Sequence, residues 1–442
     1  MMNIFSKTSA LALFVSTLVA GPVLATLGDP VSGLTAEESA LFAEGQLLFE
    51  KDFTPNEGLG PLYNATSCVA CHGGGATGGW DPDGVTNNVT HFGITYENRF
   101  YEAHESGGPV KQAKSVAGHP QRPNCTMDPE TPESVAQWIP GMIFSSRQTP
   151  GVFGFGLLDA VSDKKILKYS GKKRWKAPGV IGVANWGVEM EGVSRALAFS
   201  LDQAPSPGVP LWLESVRTQV TGARRVGRFG WKSQTATLFQ FSAEPFAIEL
   251  GISSPFFERE NAPGLAPIPE ECASSAGPDD VDSSQSLRLF YFQALLAPPE
   301  RGDVGFRERV GEIVFGAVGC TDCHRRKMKT SNRYFAPDAD GNATRVHALE
   351  NKVFYPYSDL LLHDMGEENS DYRPMGGASG RFWRTTPLWG LGQRTNFWHD
   401  GSITDLESTI AAHEGEGSWS AQAYDRLPGF LKRWVLKFME SL

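Results

Sequence analysis

Two copies of one five-residue pattern constrain this 442-residue chain more than anything else in it: Cys68-Val69-Ala70-Cys71-His72 and Cys320-Thr321-Asp322-Cys323-His324. Two thiols three positions apart lie on one helical turn, so both can add to the vinyl groups of a single haem. The histidine that follows is carried beneath the iron as its fifth ligand. A four-cysteine zinc site, a redox Cys-x-x-Cys and a pair of structural disulfides would use the same thiols, but none of them calls for a histidine directly after the second cysteine. The pattern implies two covalently bound c-type haems, attached at Cys68, Cys71, Cys320 and Cys323 and ligated by His72 and His324. Cys125 and Cys272 remain, and sequence leaves two readings of them open, a disulfide or two buried thiols.

The first 25 residues read as an export signal: Lys7 in a short polar start, an apolar run from Ala10 to Ala20, and the small-residue end Val23-Leu24-Ala25. The run is shorter than the ~20 apolar residues a membrane span needs, and Gly21-Pro22 follows it at once. Cleavage after Ala25 and a periplasmic location are the expectation, with no membrane span in the mature protein. The formal net charge of −10 argues against a nucleic-acid partner. An acidic surface suits a basic redox protein, or serves only solubility.

The chain repeats itself. Gly45-Gln46-Leu47-Leu48-Phe49 precedes the first motif and Gly311-Glu312-Ile313-Val314-Phe315 the second, each on an amphipathic helix leading to a haem. Thr35 and Glu38 form a capping box at the start of the first. Downstream, Arg147-Gln148-Thr149-Pro150 with Gly154 and Gly156 is echoed by Arg384-Thr385-Thr386-Pro387 with Gly390 and Gly392. The expected fold is mainly α, with two cytochrome c-like helical domains, each around a covalent haem. The first spans 26–260 with an insertion at about 157–226, residues 261–286 form a linker rich in Pro, Ser, Ala and Asp, and the second spans 287–442. A last amphipathic helix carries Phe430, Leu431, Trp434, Val435, Phe438 and Met439.

Beyond the haem motifs, the chain carries Gly58-Leu59-Gly60-Pro61-Leu62, Gly227-Arg228-Phe229-Gly230-Trp231-Lys232, Tyr357-Ser358-Asp359-Leu360-Leu361-Leu362-His363-Asp364-Met365-Gly366 and Trp383-Arg384-Thr385-Thr386-Pro387-Leu388-Trp389-Gly390. With these it resembles the bacterial di-haem oxidoreductases described as peroxidases, relatives of di-haem cytochrome c peroxidases and MauG-type enzymes, over most of the mature chain. In the peroxidases the C-terminal haem has a Met as sixth ligand on the helix after a His-Asp-Gly segment. His413 stands at that place here, and Met365 and Met375 are the fallbacks; the competing reading of His413 is a surface residue at a helix end. Imidazole favours ferric iron more than a thioether does, so a bis-His haem sits at lower potential. The resemblance makes Glu249, after Gln240 and Pro245, the acid/base residue at an open N-terminal haem, the competing reading being an exposed helical Glu. His91, His104 and His119 read as surface residues of the loop after the first motif. Arg147 and Arg384 suit haem propionates, and Trp231, Trp186 and Trp138 are candidates for an electron relay.

The reading that follows is an enzyme: electrons from a small cytochrome c or cupredoxin pass through the C-terminal haem to the N-terminal iron, where peroxide or a related oxidant is reduced. The alternatives are an electron carrier with both irons six-coordinate, and MauG-like oxidation of a partner protein. Whether calcium also sits between the domains is a question that sequence leaves open.

Overall fold

The computed structural model describes residues 26–96, 99–101, 110–116, 123–125, 142–172, 176–185, 225–257, 271, 281–337 and 343–442. The expected signal segment lies outside them, as do His104, His119, Trp138, Trp186 and Cys272 and most of the expected insertion and linker. Cys125 is buried and disulfide-bonded.

Helix α1 (Ala36–Glu50) starts where the sequence says it should, since the Thr35 hydroxyl accepts from the Glu38 amide at 3.1 Å while the Glu38 carboxylate accepts from the Thr35 amide at 2.7 Å. It buries Phe42, Gly45, Leu48 and Phe49. Two short helices follow, α2 (Phe155–Asp159) and α3 (Asp163–Leu167), then α4 (Leu238–Leu250), capped by Thr237. Helix α5 (Ser283–Leu295) lies across α1, and Gly45 is the point of closest approach: a Cβ there would fall 2.1 Å from the Arg288 carbonyl oxygen.

The same crossing recurs between α6 (Phe306–Ala317) and the last helix. Helices α7 (Leu406–Ala411) and α8 (Ser418–Asp425) precede that last helix, α9 (Gly429–Glu440). A Cβ on Gly311 would fall 1.9 Å from the Trp434 carbonyl oxygen. Beside each crossing an aromatic pair repeats, Phe49 with Phe292 at 5.0 Å and Phe315 with Phe438 at 5.2 Å, and each pair touches the motif histidine, Phe49 with His72 at 5.8 Å and Phe315 with His324 at 6.2 Å. The expected boundary at 287 falls within α5, and α5 packs on α1. Its buried Leu287, Leu289, Phe290 and Phe292 belong to the core of Phe42 and Phe49.

The halves interlock through their second echo. Gly154 and Gly390 both adopt the left-handed conformation (φ 69°, ψ 10°), and each is covered by a tryptophan of the other half, Gly154 by Trp389 and Gly390 by Trp80.

The helical expectation omitted small antiparallel sheets. Strand β1 (Leu62–Tyr63) pairs with β4 (Lys114–Ser115), and β2 (Val89–Tyr96) lies between β3 (Arg99–Tyr101) and β5 (Met142–Arg147). The β2 residues Val-Thr-His-Phe-Gly-Ile-Thr-Tyr are mostly β-branched or aromatic, which suits a half-buried strand. Its register sets His91 opposite Ser145 and brings Arg147 to the strand end. Among the described residues no helix is long and apolar enough to cross a membrane.

Candidate haem sites

Each Cys-x-x-Cys-His segment forms one helical turn, closed by the His72 amide donating to the Cys68 carbonyl and the His324 amide to the Cys320 carbonyl, both at 2.9 Å. The turns open into separate cavities, so the four thiols stand two and two and do not build a four-cysteine metal site. Burial pushes Cys68, Cys71 and Cys320 up to about 12, which keeps them as neutral thiols.

The C-terminal cavity is walled by Phe315, Leu388, Leu391, Phe397, Ile410 and Met439. His324 Nδ1 donates to the Tyr357 carbonyl at 2.9 Å, and His413 Nδ1 to the Thr409 carbonyl at 2.8 Å, which leaves each Nε2 free. Burial lowers His324 to about 4 and lowers His413 as well, so both imidazoles stay neutral, the form in which they bind a metal. Their ring centres are 6.4 Å apart. Two metal–imidazole bonds of about 2 Å, plus about 1.1 Å from each nitrogen to its ring centre, separate ring centres by about 6 Å, so one haem iron fits between them. His413 is thus a half-buried wall residue of the cavity rather than a surface histidine. Met365 lines the same cavity; the other fallback, Met375, lines the N-terminal one, where its carbonyl accepts from Asn185.

Arg384 lines this cavity as expected, and Arg394, which sequence reasoning missed, joins it. Both guanidiniums are buried, and burial lowers both to about 10 with no carboxylate acting against it. Arg384 Nε donates to the Gly230 carbonyl at 2.9 Å and Arg394 Nη2 to Gln148 Oε1 at 3.1 Å, while Arg394 Nε has no partner. Two such cations with no counter-ion among the described residues fit the two propionates of a haem. No motif marks Arg394; it reaches the cavity because the short turn Leu391–Gln393 packs under α9, with Gly392 against the Glu440 carbonyl.

The N-terminal cavity is lined by Cys68, Cys71, His72, His91, Arg147, Gln240, Glu244 and Glu249 among others. Burial lowers His72 to about 4. Glu249, near the end of α4, accepts from Asn64 Nδ2 at 2.9 Å, and burial, reinforced by Glu244, pushes its carboxyl up to about 7. Arg147 pairs with Asp371, lies 4.5 Å from the centre of the Trp383 ring, and keeps a buried Nη1 with no partner, which fits a propionate. His91 corrects the expectation of a surface residue: strand β2 turns it into this cavity, with a buried Nδ1 that has no partner. Trp231 lines both cavities, its indole N–H donating to the Gln148 carbonyl at 3.0 Å. Among the described residues no group of three or more His, Cys, Asp or Glu converges in the manner of a metal site.

Repeated helix crossings, two Cys/His-lined cavities and a shared tryptophan define a redox protein with paired haem sites. The family model described as "Di-haem oxidoreductase, putative peroxidase" matches residues 139–442, and the chain belongs to that family. It is a haem-dependent oxidoreductase. Among solved structures, the Kuenenia stuttgartiensis hydrazine synthase pressurized with xenon is 12% identical with a TM-score of 0.39, covering 98% of this chain and 100% of its own. A MauG-like protein associated with microbial copper homeostasis is 12% identical with a TM-score of 0.34, covering 96% of this chain and 94% of its own. No curated protein matches the sequence.

Proposed function

We propose that this protein is an exported, periplasmic di-haem c-type oxidoreductase that reduces peroxide or a related oxidant at its N-terminal centre, with electrons passed through the C-terminal one. The observation that carries the reading is the difference between the two cavities. His413 faces His324 and closes the C-terminal site to substrate, whereas the N-terminal site holds a carboxyl, Glu249, poised near neutrality. Cys68, Cys71, Cys320 and Cys323 would hold the haems covalently, and His72, His324 and His413 would offer nitrogens to their irons. When bound, the haems supply irons that pass single electrons and, at the N-terminal site, bind the oxidant. Glu249 takes a proton from one peroxide oxygen and returns it to the other; each peroxide consumes two electrons and two protons and yields two waters. Arg147, Arg384 and Arg394 would pair with the propionates, and Trp231, which lines both cavities, would lie between the sites.

A second reading, electron transfer without a substrate, is favoured by His91, whose unpartnered buried nitrogen offers a sixth ligand at the N-terminal site. An EPR spectrum of the ferric protein before and after one-electron reduction separates the two. A high-spin signal in either state supports the enzyme; two low-spin signals that persist through reduction leave a carrier. Protein sequencing of the periplasmic fraction tests export, with Thr26 the expected first residue.

A further inference from the structure

Two stretches of this acidic chain are strongly basic. Residues 163–176 hold seven Lys or Arg and one acidic residue, and residues 325–333 hold five and none, in a chain with a formal net charge of −10. The fold packs their described residues, 163–172, 176 and 325–333, together around the C-terminal haem motif. Lys165 Nζ donates to the carbonyls of Lys329 at 2.7 Å and Thr330 at 2.9 Å, and the Arg325 guanidinium lies 3.6 Å from the centre of the Tyr169 ring. Lys176 Nζ donates to the Gly316 carbonyl at 2.9 Å, and the amides of Lys176 and Ala177 donate to Asp322 Oδ2, inside the motif itself, at 3.0 and 2.8 Å.

Lys164, Lys168, Lys172, Lys327, Lys329 and Arg333 are exposed in these two stretches. The acidic groups around them are engaged already: Asp163 pairs with Arg228, Asp322 with the two amides, and Glu312 with Arg301 and Arg326. Apolar surface stands beside the charge. Trp419, 38% exposed, covers Gly319 next to Cys320, and Ile181, 39% exposed, follows Val180, which lines the C-terminal cavity.

We propose that this face is the docking surface for an acidic electron-transfer protein the size of a small cytochrome or cupredoxin. The proposal rests on the reading above, that the C-terminal centre receives electrons from a partner, and gives that partner a sign opposite to the one the net charge suggests. The cations draw the acidic partner in, and the Trp419 and Ile181 surface seats it beside the wall of the cavity. Each encounter moves one electron from the partner's reduced metal centre to the C-terminal iron and makes or breaks no bond, so two encounters serve one peroxide.

The test uses the haem-loaded protein and its variant Lys164→Glu/Lys172→Glu/Lys327→Glu, whose three side chains are exposed and engaged in no ion pair among the described residues. Stopped-flow reduction by a reduced acidic cupredoxin is measured from low to high salt, with a reduced basic cytochrome c and neutral hydroquinone as the other reductants, and binding of the oxidised cupredoxin is followed by calorimetry. The expected result is a loss of roughly tenfold or more in the acidic probe's rate and affinity at low salt, vanishing at high salt, with hydroquinone reduction unchanged. An unchanged rate with the acidic probe, or a faster wild-type rate with the basic one, overturns the proposal. So does binding to phosphatidylglycerol vesicles that the substitutions abolish while the acidic probe's rate stays the same, since the face is then a lipid surface. Salt-dependent reduction by the acidic probe without peroxide consumption upholds the docking surface and refutes the peroxide reading instead.

Discussion

Glu249 and His413 carry the sharpest residue-level expectations. The carboxyl of Glu249 stands at about 7, above the ordinary 4.5, because burial disfavours its charge. As a raised acid it favours the folded state at low pH, and that contribution is lost as pH rises from its ordinary value through 7. If, as proposed, its ionised form accepts the first peroxide proton, kcat/KM for peroxide is expected to rise through pH about 7. Glu249→Gln lowers peroxide turnover by roughly 10²–10⁴-fold and removes that limb from the pH–rate profile. A profile that keeps the limb in the variant assigns the proton transfer elsewhere. His413→Met replaces an imidazole with a thioether opposite His324; the midpoint potential of one haem then rises by something on the order of 100 mV, within the ~0.8 V range that axial ligands span. Potentiometric titration followed in the visible spectrum reads this directly, and an unmoved potential removes His413 from the iron.

At the scale of elements, the two helix crossings are the repeated unit of the fold, and glycine is what lets each pair close. Gly311→Ala would set a methyl 1.9 Å from the Trp434 carbonyl oxygen, so α6 and α9 must separate and loosen Phe315 and Phe438 at the wall of the C-terminal site. The expected cost is about 1–3 kcal/mol, read in a denaturant melt of the haem-loaded protein. A change within a few tenths of a kcal/mol shows that the crossing has slack. The capping box and the amphipathic pattern made α1 legible, because both are local. The pairing of α5 with α1 was not legible, because helical periodicity says that a face is buried but not against what, and the Pro- and Ser-rich stretch before α5 read as a boundary.

For the whole molecule the question is how two sites act as one. Trp231 is the described aromatic residue that lines both cavities, anchored by its indole N–H on Gln148, whose side chain takes a hydrogen bond from Arg394 across the divide. Trp231→Phe keeps an aromatic body and loses that anchor and the larger ring. Electron exchange between the haems, followed by pulse radiolysis, is expected to slow by roughly tenfold, with both haem spectra intact. Equal rates in wild type and variant would mean that the electrons take another route.

What the sequence determined by itself is the local chemistry of the two motifs: Cys-x-x-Cys-His brings two thiols and an imidazole together within one turn, so no tertiary contact is needed to read it. The duplication was legible for the same reason, since each echo is a short local run. What only the tertiary structure decided is everything that faces those turns from a distance. His413 comes to His324 from 89 residues along the chain, Arg394 enters under a helix with no motif to announce it, and a strand register turns His91 inward. The basic face forms because two stretches more than 140 residues apart pack on one motif, a juxtaposition that net charge averages away.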